Sequence, residues 1–154
     1  MIGLKTPEVE RFWQEARIKH KIVRNVYHAR TFSDPVLSTK IDEITELCRL
    51  GKKRGTAHLA LDFETNEVPR REPGDYLVVL DRHNAPVRLA RVVKVEVTPY
   101  RDVTEEFARR EGEGDLSLAY WRQAHEGYFK RQLAAWGREW RDDLPIVCES
   151  FDLL

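Results

Sequence analysis

The chain has 154 residues, of which 42% are hydrophobic and 34% are charged. These values are typical of a soluble, globular, single-domain protein and argue against disorder. Lysine plus arginine and aspartate plus glutamate both count 26, so the net charge of zero does not by itself indicate a polyanionic partner. No apolar run approaches the roughly 20 residues of a membrane span, and residues 1–7 lack a basic-then-apolar signal segment. We therefore expect a cytoplasmic protein that binds no membrane.

Helix signals dominate the first third of the chain. Thr6 is a capping hydroxyl before Pro7, and apolar side chains then recur at helical spacing. A second apolar stripe from Ile41 to Cys48 predicts another helix, which Gly51 ends.

Strand patterns dominate the middle of the chain. Residues 56–63 alternate roughly, and Tyr76–Leu80 is a short apolar run. A tight turn then leads into a long alternating segment from 87 to 97. Arg91 falls on the apolar side of that segment, which suggests a bulge or a barrel mouth.

The last third returns to helices before a final strand. A short helix ends at Gly112, and apolar residues at steps of three or four predict one aromatic-striped helix of about 20 residues. A strand follows Pro145. Short strands in a meander, interrupted by helices, predict an α+β fold with a small β-barrel and flanking helices. The members of the stripe that we expect to be buried against the barrel are Trp121, Phe129, Leu133 and Trp136.

Metal and cofactor motifs are missing from the sequence. Cys48 and Cys148 lie far apart without a CxxC spacing, which favours two buried thiols in a reducing compartment. The five histidines show no paired ligand spacing, and there is no P-loop, GxGxxG or GxSxG. We expect no metal and no cofactor.

Three adjacent cations, Lys52, Lys53 and Arg54, join a helix end to a strand start. In one interpretation they only complement the dipole at the helix C-terminus. In the other, their mutual repulsion depresses the pKa of one lysine and supplies a neutral amine near pH 7, as a general base requires. Thr56 would then be a hydroxyl within reach of Lys53.

A carboxyl group that closes a helix is a candidate proton donor. The helix dipole disfavours negative charge on Glu111, and Glu113 and Asp115 follow closely. Both effects raise a carboxyl pKa. The alternative interpretation is a solvated acidic loop. Trp121 and His125 further along the chain are more typical of a packed core than of a base-stacking platform or a ligand site.

Taken in order, these motifs resemble the ASCH domain family, which belongs to the PUA-like superfamily. The family hallmark, GxKxxT followed two residues later by a basic residue, is matched by Gly51-Lys52-Lys53-Arg54-Gly55-Thr56-Ala57-His58. Pro73-Gly74-Asp75 and Glu111-Gly112-Glu113-Gly114-Asp115 match further segments. Two residues depart from the common pattern, because His58 stands where arginine is frequent and Arg54 stands where threonine is frequent.

The resemblance also suggests a division of the chain. It covers about residues 27–153, so we assign residues 27–154 to an ASCH domain and residues 1–26 to a helical extension.

The resemblance implies RNA or nucleoside chemistry. In a small-enzyme branch of the family, a lysine, a threonine three residues later and a distant glutamate remove the acyl group of N4-acetylcytidine. Lys53 and Thr56 match by motif, and Glu111 matches by its place after a short helix. The implied mechanism has Lys53 take the proton of Thr56, whose oxygen attacks the amide carbonyl, while Glu111 protonates the departing amine.

We therefore predict a hydrolase that acts on an acylated cytidine-type nucleoside, with Lys53, Thr56 and Glu111 as catalytic residues and a nucleoside or RNA as ligand. One alternative is a non-catalytic RNA-binding module that uses the same cleft and a basic rim. Another is a single-strand ribonuclease that needs a divalent metal ion. The expected substrate-binding residues, including that rim, are Lys52, Arg54, His58, Arg91, Trp121, Arg122 and His125.

Overall fold

The computed structural model describes residues 3–34 and 36–154. Residues 1–2, which belong to the segment searched for a signal peptide, lie outside the described residues. The helices are α1 (Pro7–His20), α2 (Ile41–Arg49), α3 (Ala60–Thr65), α4 (Glu105–Glu111) and α5 (Leu118–Ala135), with a 3-10 turn at Tyr100–Asp102. The strands are β1 (His28–Arg30), β2 (Gly55–Leu59), β3 (Tyr76–Leu80), β4 (Pro86–Pro99) and β5 (Pro145–Leu153).

The strands form one sheet in the order β1-β3-β4-β5-β2. β1 runs parallel to β3, and the remaining pairs are antiparallel. The sheet curls into a half-barrel with helices against it, which confirms the predicted α+β class. Because β2 pairs with the C-terminal strand, Thr56 lies directly opposite Glu149.

A bulge in β4 changes which of its residues face the core. The register between β4 and β5 shifts between Val92 and Lys94, so the irregularity expected near Arg91 is present. Arg91 and Val93 are exposed, whereas Val92 is fully buried. The expectation of one continuous apolar face over residues 87–97 is therefore wrong: Ala90 and Val92, on the opposite face, are buried before the bulge, and beyond it the extra residue reverses the alternation.

The predicted strand over residues 56–63 is also wrong in its second half. β2 ends at Leu59 and α3 begins at Ala60. Ala60 and Phe63, three residues apart, both pack against Val147 of β5. A segment this short shows no clear period, and its packing on the sheet decides the conformation.

The aromatic stripe packs as predicted on most of its length. Trp121, Phe129 and Leu133 are buried between α5 and the sheet. Trp136 is only partly buried, because α5 ends at Ala135 and Trp136 occupies the C-cap. The long helix is thus confirmed, and the stripe is buried up to its last turn.

The remaining elements complete the core. α1 packs through Val9 and Trp13 against the sheet. Cys48 and Cys148 are free and buried, as expected. Among the residues described, no helix is long and apolar enough to cross a membrane.

Candidate active site

The turn between α2 and β2 directs one of the three adjacent cations inward. Gly51 ends α2 with φ 80°, a left-handed conformation that glycine adopts without strain. The backbone amides of Lys52 and Lys53 then both donate to the carbonyl oxygen of Leu47, at 2.9 and 3.1 Å. The side chain of Lys53 is 1% exposed, whereas the residues on either side of it are exposed.

The end of α4 packs closely against this turn. The amide of Arg54 donates to the carbonyl oxygen of Arg110 at 2.8 Å. Gly112 follows Glu111 with φ 73°, and a Cβ atom at Gly112 would collide with the carbonyl oxygen of Lys52. Glycine at this position therefore lets the C-terminus of α4 approach the lysine-bearing turn.

We expect Gly112→Ala to destabilise the protein more than Gly137→Ala. Both glycines have a positive φ, which costs a non-glycine residue about 1–2 kcal/mol. No atom lies within 4 Å of a Cβ at Gly137, so only Gly112→Ala adds a backbone collision. Urea unfolding of both variants measures the difference, and equal losses of unfolding free energy would contradict the close-approach argument.

Lys53 lies between two carboxylates. Its Nζ is 2.8 Å from Oε2 of Glu111 and 2.6 Å from Oε1 of Glu113. Lys53 and Glu111 are both 1% exposed, and Glu113 is 14% exposed. Two residues separated by 58 positions in the chain are therefore in direct contact in a water-poor environment.

Two side chains of α5 hold the other oxygen of Glu111. Nε1 of Trp121 donates to Oε1 at 3.0 Å, and Nε2 of His125 lies 3.3 Å from the same atom. Nδ1 of His125 is 3.0 Å from the carbonyl oxygen of Trp121, and the two rings stack with centroids 4.2 Å apart. Both ring nitrogens of His125 thus face acceptors, which is the arrangement of an imidazolium.

These contacts reverse the protonation states expected from the sequence. Burial alone would lower the pKa of Lys53, but Glu111 and Glu113 outweigh burial and raise it above its ordinary value of 10.5. Burial alone would raise the pKa of Glu111, but Lys53 and His125 lower it below its ordinary value of 4.5. The expected depressed lysine and raised glutamate are wrong for the free protein. The neighbouring cations are exposed and screened, whereas the carboxylates are in contact.

Burial and Glu111 act in opposite directions on His125 as well. Burial would lower the pKa of His125, but the contact with Glu111 outweighs burial and raises it above its ordinary value of 6.5. Glu111 therefore lies between Lys53 and His125, and its carboxylate favours the protonated form of both side chains.

Glu111→Gln should lower the free energy of unfolding by about 3 kcal/mol near neutral pH, because it leaves Lys53 buried with only Glu113. The lowered pKa of Glu111 means that its contribution is present above pH 4.5 and is lost as the pH falls further. The raised pKa of Lys53 keeps its contribution up to pH 10.5, beyond which it is lost.

Denaturant unfolding across pH tests this prediction. The difference between wild type and Glu111→Gln should be largest between about pH 5 and 6.5, decrease as the pH rises through the raised pKa of His125, and also shrink in more acidic solution. Glu105→Gln on the exposed face of α4 is the matched control and should change stability by less than about 0.5 kcal/mol. A pH-independent difference in acid would contradict the ion-pair assignment.

A cavity of about 510 Å³ opens beside this cluster, between α5 and the segments 32–34 and 36–44. Lys53, Thr56 and Glu111 all line it, together with His125. The remaining wall includes aromatic rings and further polar side chains, among them Phe32, Lys40, Glu113, Tyr120, Gln123, Tyr128 and Arg131. The volume falls within the range of small-molecule sites.

The structure separates the expected substrate-binding residues into three groups. His125 lines the cavity, and Trp121 lies behind it, bonded to Glu111. His58 is buried on β2, beside Arg71, and does not line the cavity. The members that are exposed and do not line the cavity are Lys52, Arg54, Arg91 and Arg122.

The sequence reasoning missed several residues of the cavity wall. Tyr120 and Tyr128 are eight residues apart on α5, a helical spacing that marks a second face of this helix. Phe32 lies in an irregular segment, and no local pattern indicates that its ring packs near Nζ of Lys53. Within residues 3–34 and 36–154, no group of three or more His, Cys, Asp or Glu side chains is arranged to hold a metal ion.

The curled five-stranded half-barrel with helices against it is the fold of a small PUA-like domain. The ASCH domain family matches residues 29–154, and the chain belongs to this family. ASCH domains have an RNA-binding fold of the PUA-like superfamily.

Two solved structures are similar over nearly the whole chain. The ASCH domain from Lactobacillus crispatus JV V101 is 27% identical, with a TM-score of 0.80 over 99% of this chain and 98% of that one. A protein from Enterococcus faecalis V583, of family DUF984, is 30% identical, with a TM-score of 0.83 over 96% of this chain and 88% of that one. No functionally curated protein matches the sequence.

Proposed function

We propose that this protein is a hydrolase that removes the acyl group from an N4-acylated cytidine-type nucleoside. The observation that carries the proposal is the buried pair of Lys53 and Glu111, 2.8 Å apart, which lines one cavity together with the hydroxyl-bearing Thr56. A base, an acid and a nucleophile are the groups that amide cleavage by covalent catalysis needs.

The pair supplies both base and acid after one internal proton shift. In the free protein Lys53 is an ammonium and Glu111 a carboxylate. A proton that moves from Nζ to Oε2 leaves a neutral amine and a carboxylic acid. A ligand that fills the cavity displaces water, and a drier environment favours this neutral pair over two separated charges.

In the acylation step, the neutral amine of Lys53 takes the proton of the Thr56 hydroxyl. The Thr56 oxygen forms a bond to the acyl carbon, and the bond between that carbon and N4 breaks. Glu111 gives its proton to N4 as the amine leaves, so cytidine departs and Thr56 carries the acyl group as an ester. Lys53 and Glu111 are now ammonium and carboxylate again.

In the deacylation step, Glu111 takes a proton from a water molecule that attacks the ester. The bond between the acyl carbon and the Thr56 oxygen breaks, and Lys53 returns a proton to that oxygen. A carboxylic acid leaves. The pair ends as amine and acid, ready for another cycle, and no outside proton is consumed.

A second candidate is a non-catalytic RNA-binding module, which the aromatic and cationic side chains of the cavity wall support. Phe32, Tyr120 and Tyr128 offer rings for base stacking, while Lys40 and Arg131 offer cations for phosphate. Such a module would need no proton-transfer pair, so the Lys53–Glu111 contact favours the hydrolase.

A turnover assay decides between the candidates. Purified protein is incubated with N4-acetylcytidine, with and without a chelator, and with single-stranded RNA in parallel. We expect acetate release that the chelator leaves unchanged. RNA binding without any acetate release would support the binding module instead, and RNA cleavage that the chelator stops would support the ribonuclease.

A further inference from the structure

A second group of buried charged side chains packs against the sheet, next to Thr56, the proposed nucleophile. Nε of Arg71 donates to Oε2 of Glu149 at 2.7 Å, and Nη2 of Arg71 lies 3.1 Å from Nε2 of His58. The side chains of Arg71 and Glu149 are 1% and 0% exposed. Burial and the nearby arginines hold the pKa of His58 well below 6.5, so its neutral ring accepts from Arg71.

One atom on each side of this ion pair has no hydrogen-bond partner. Among the described residues, Nη1 of Arg71 and Oε1 of Glu149 are both buried and unbonded. Leaving a buried polar atom unsatisfied costs about 1–3 kcal/mol, and more when the group is charged. One of these atoms donates and the other accepts, so they are complementary to a ligand edge that carries both an acceptor and an N–H.

The unsatisfied carboxylate oxygen belongs to the direct neighbour of Thr56. Glu149 and Thr56 are opposite each other in the antiparallel pair of β5 and β2, on the same face of the sheet. Such pairs place their Cβ atoms about 4.5–5.5 Å apart. Because Thr56 lines the cavity, Glu149 lies one side chain beyond its wall.

The proposed reaction places a suitable group at this position. In an N4-acylated cytidine, N4 carries both the acyl group and a hydrogen. A substrate with its acyl carbon at Thr56 has N4 one bond from that carbon, and in the orientation we propose N4–H points past Thr56 toward Glu149, which is buried behind the cavity wall. The ring acceptors N3 and O2 lie next to N4 along the Watson–Crick edge of the same base.

We propose that Glu149 and Arg71 form the base-recognition subsite, in which Oε1 of Glu149 accepts from the exocyclic N4–H of cytosine and Nη1 of Arg71 donates to a ring acceptor. This inference rests on the proposed function for the orientation of the base. It also names the substrate class, because uracil presents an oxygen where cytosine presents N4–H. A carboxylate rejects that oxygen, and glutamate is a common acceptor for cytosine N4.

The first test leaves the protein unchanged and varies the ligand. Calorimetry measures binding of cytidine, uridine and pyrimidin-2-one riboside, which lacks the exocyclic amine. We expect cytidine to bind at least about 10-fold more tightly than the other two, since either replacement leaves the carboxylate without a donor. Equal affinities, or no binding of cytidine, would overturn the proposal.

The second test inverts the hydrogen-bonding character of one atom. In Glu149→Gln the amide oxygen can still accept from Arg71, while the amide nitrogen replaces the unsatisfied oxygen with a donor. We expect the ratio of cytidine to uridine affinity to shift at least about 10-fold toward uridine. Glu96→Gln, the same change at an exposed position of β4, is the control and should leave the ratio unchanged.

The outcomes separate the subsite from the proposed reaction. An unchanged ratio in a folded Glu149→Gln variant overturns the subsite, and if that variant does not fold, the comparison of ligands on the wild-type protein decides. A preference for cytidine without turnover of N4-acetylcytidine supports the subsite and rejects the hydrolase. Turnover without any preference among the three ribosides supports the hydrolase and rejects the subsite.

Discussion

Lys53→Arg is expected to lower kcat for N4-acetylcytidine by about 10²–10⁴-fold, the range that a lost general base produces. Arginine keeps the positive charge between Glu111 and Glu113 but cannot become neutral near pH 7. The native side chain is 1% exposed, so the larger guanidinium should cost about 1–3 kcal/mol of unfolding free energy without preventing folding.

Lys52→Arg is the matched control for this variant, because Lys52 is the exposed neighbour on the same turn. Its kcat and unfolding free energy should equal those of wild type. If Lys53 only contacts phosphate, Lys53→Arg should keep most of the RNA affinity, since either cation serves phosphate. If the Lys53→Arg protein has wild-type kcat, Lys53 is not the general base.

Thr56→Val should reduce turnover by about 10³-fold or more, because it removes the nucleophilic oxygen while conserving the shape of the side chain. Thr56→Ser keeps the hydroxyl and should retain measurable turnover. A rapid-quench experiment should also detect an acyl ester on wild type and on Thr56→Ser, but not on Thr56→Val.

Thr45→Val provides the control for the loss of a buried threonine hydroxyl. Thr45 is buried in α2, and its hydroxyl has no partner among the residues that the structure describes. Its replacement should leave turnover and stability nearly unchanged. An active Thr56→Val enzyme would mean that water attacks the amide directly, with Lys53 and Glu111 as its base and acid.

The elements that the sequence predicted correctly are those with a long or strong local pattern. α5 shows many turns of one apolar period, and β3 is a short apolar run between turn signals. Residues 60–65 fill fewer than two helical turns, so their period is not distinguishable from that of a strand. The reversed face of β4 depends on its pairing with β5, which a single strand does not reveal.

The candidate site likewise contains residues that local motifs predicted and residues that only long-range contacts bring into place. Lys53, Thr56 and Glu111 were identified because the hallmark motif and the short helix are local features of the chain. The roles of Glu113 and Phe32, and the burial of Arg71 against Glu149, depend on contacts between distant segments. The expected basic rim lies away from the cavity because, of the three adjacent cations after α2, the fold buries only Lys53 and leaves Lys52 and Arg54 exposed.

The motifs of the chain were enough to recognise a resemblance to the ASCH family, which predicted the fold class and the three groups proposed for chemistry. Long-range packing established their protonation states and surroundings. A pKa depends on which charges are in contact and how much water remains, and at Lys53 the deciding carboxylates arrive from 58 and 60 positions away. Neighbours in the chain suggested a neutral lysine, whereas neighbours in space make it an ammonium paired with Glu111, because contact at 2.8 Å without water outweighs screened repulsion at the surface.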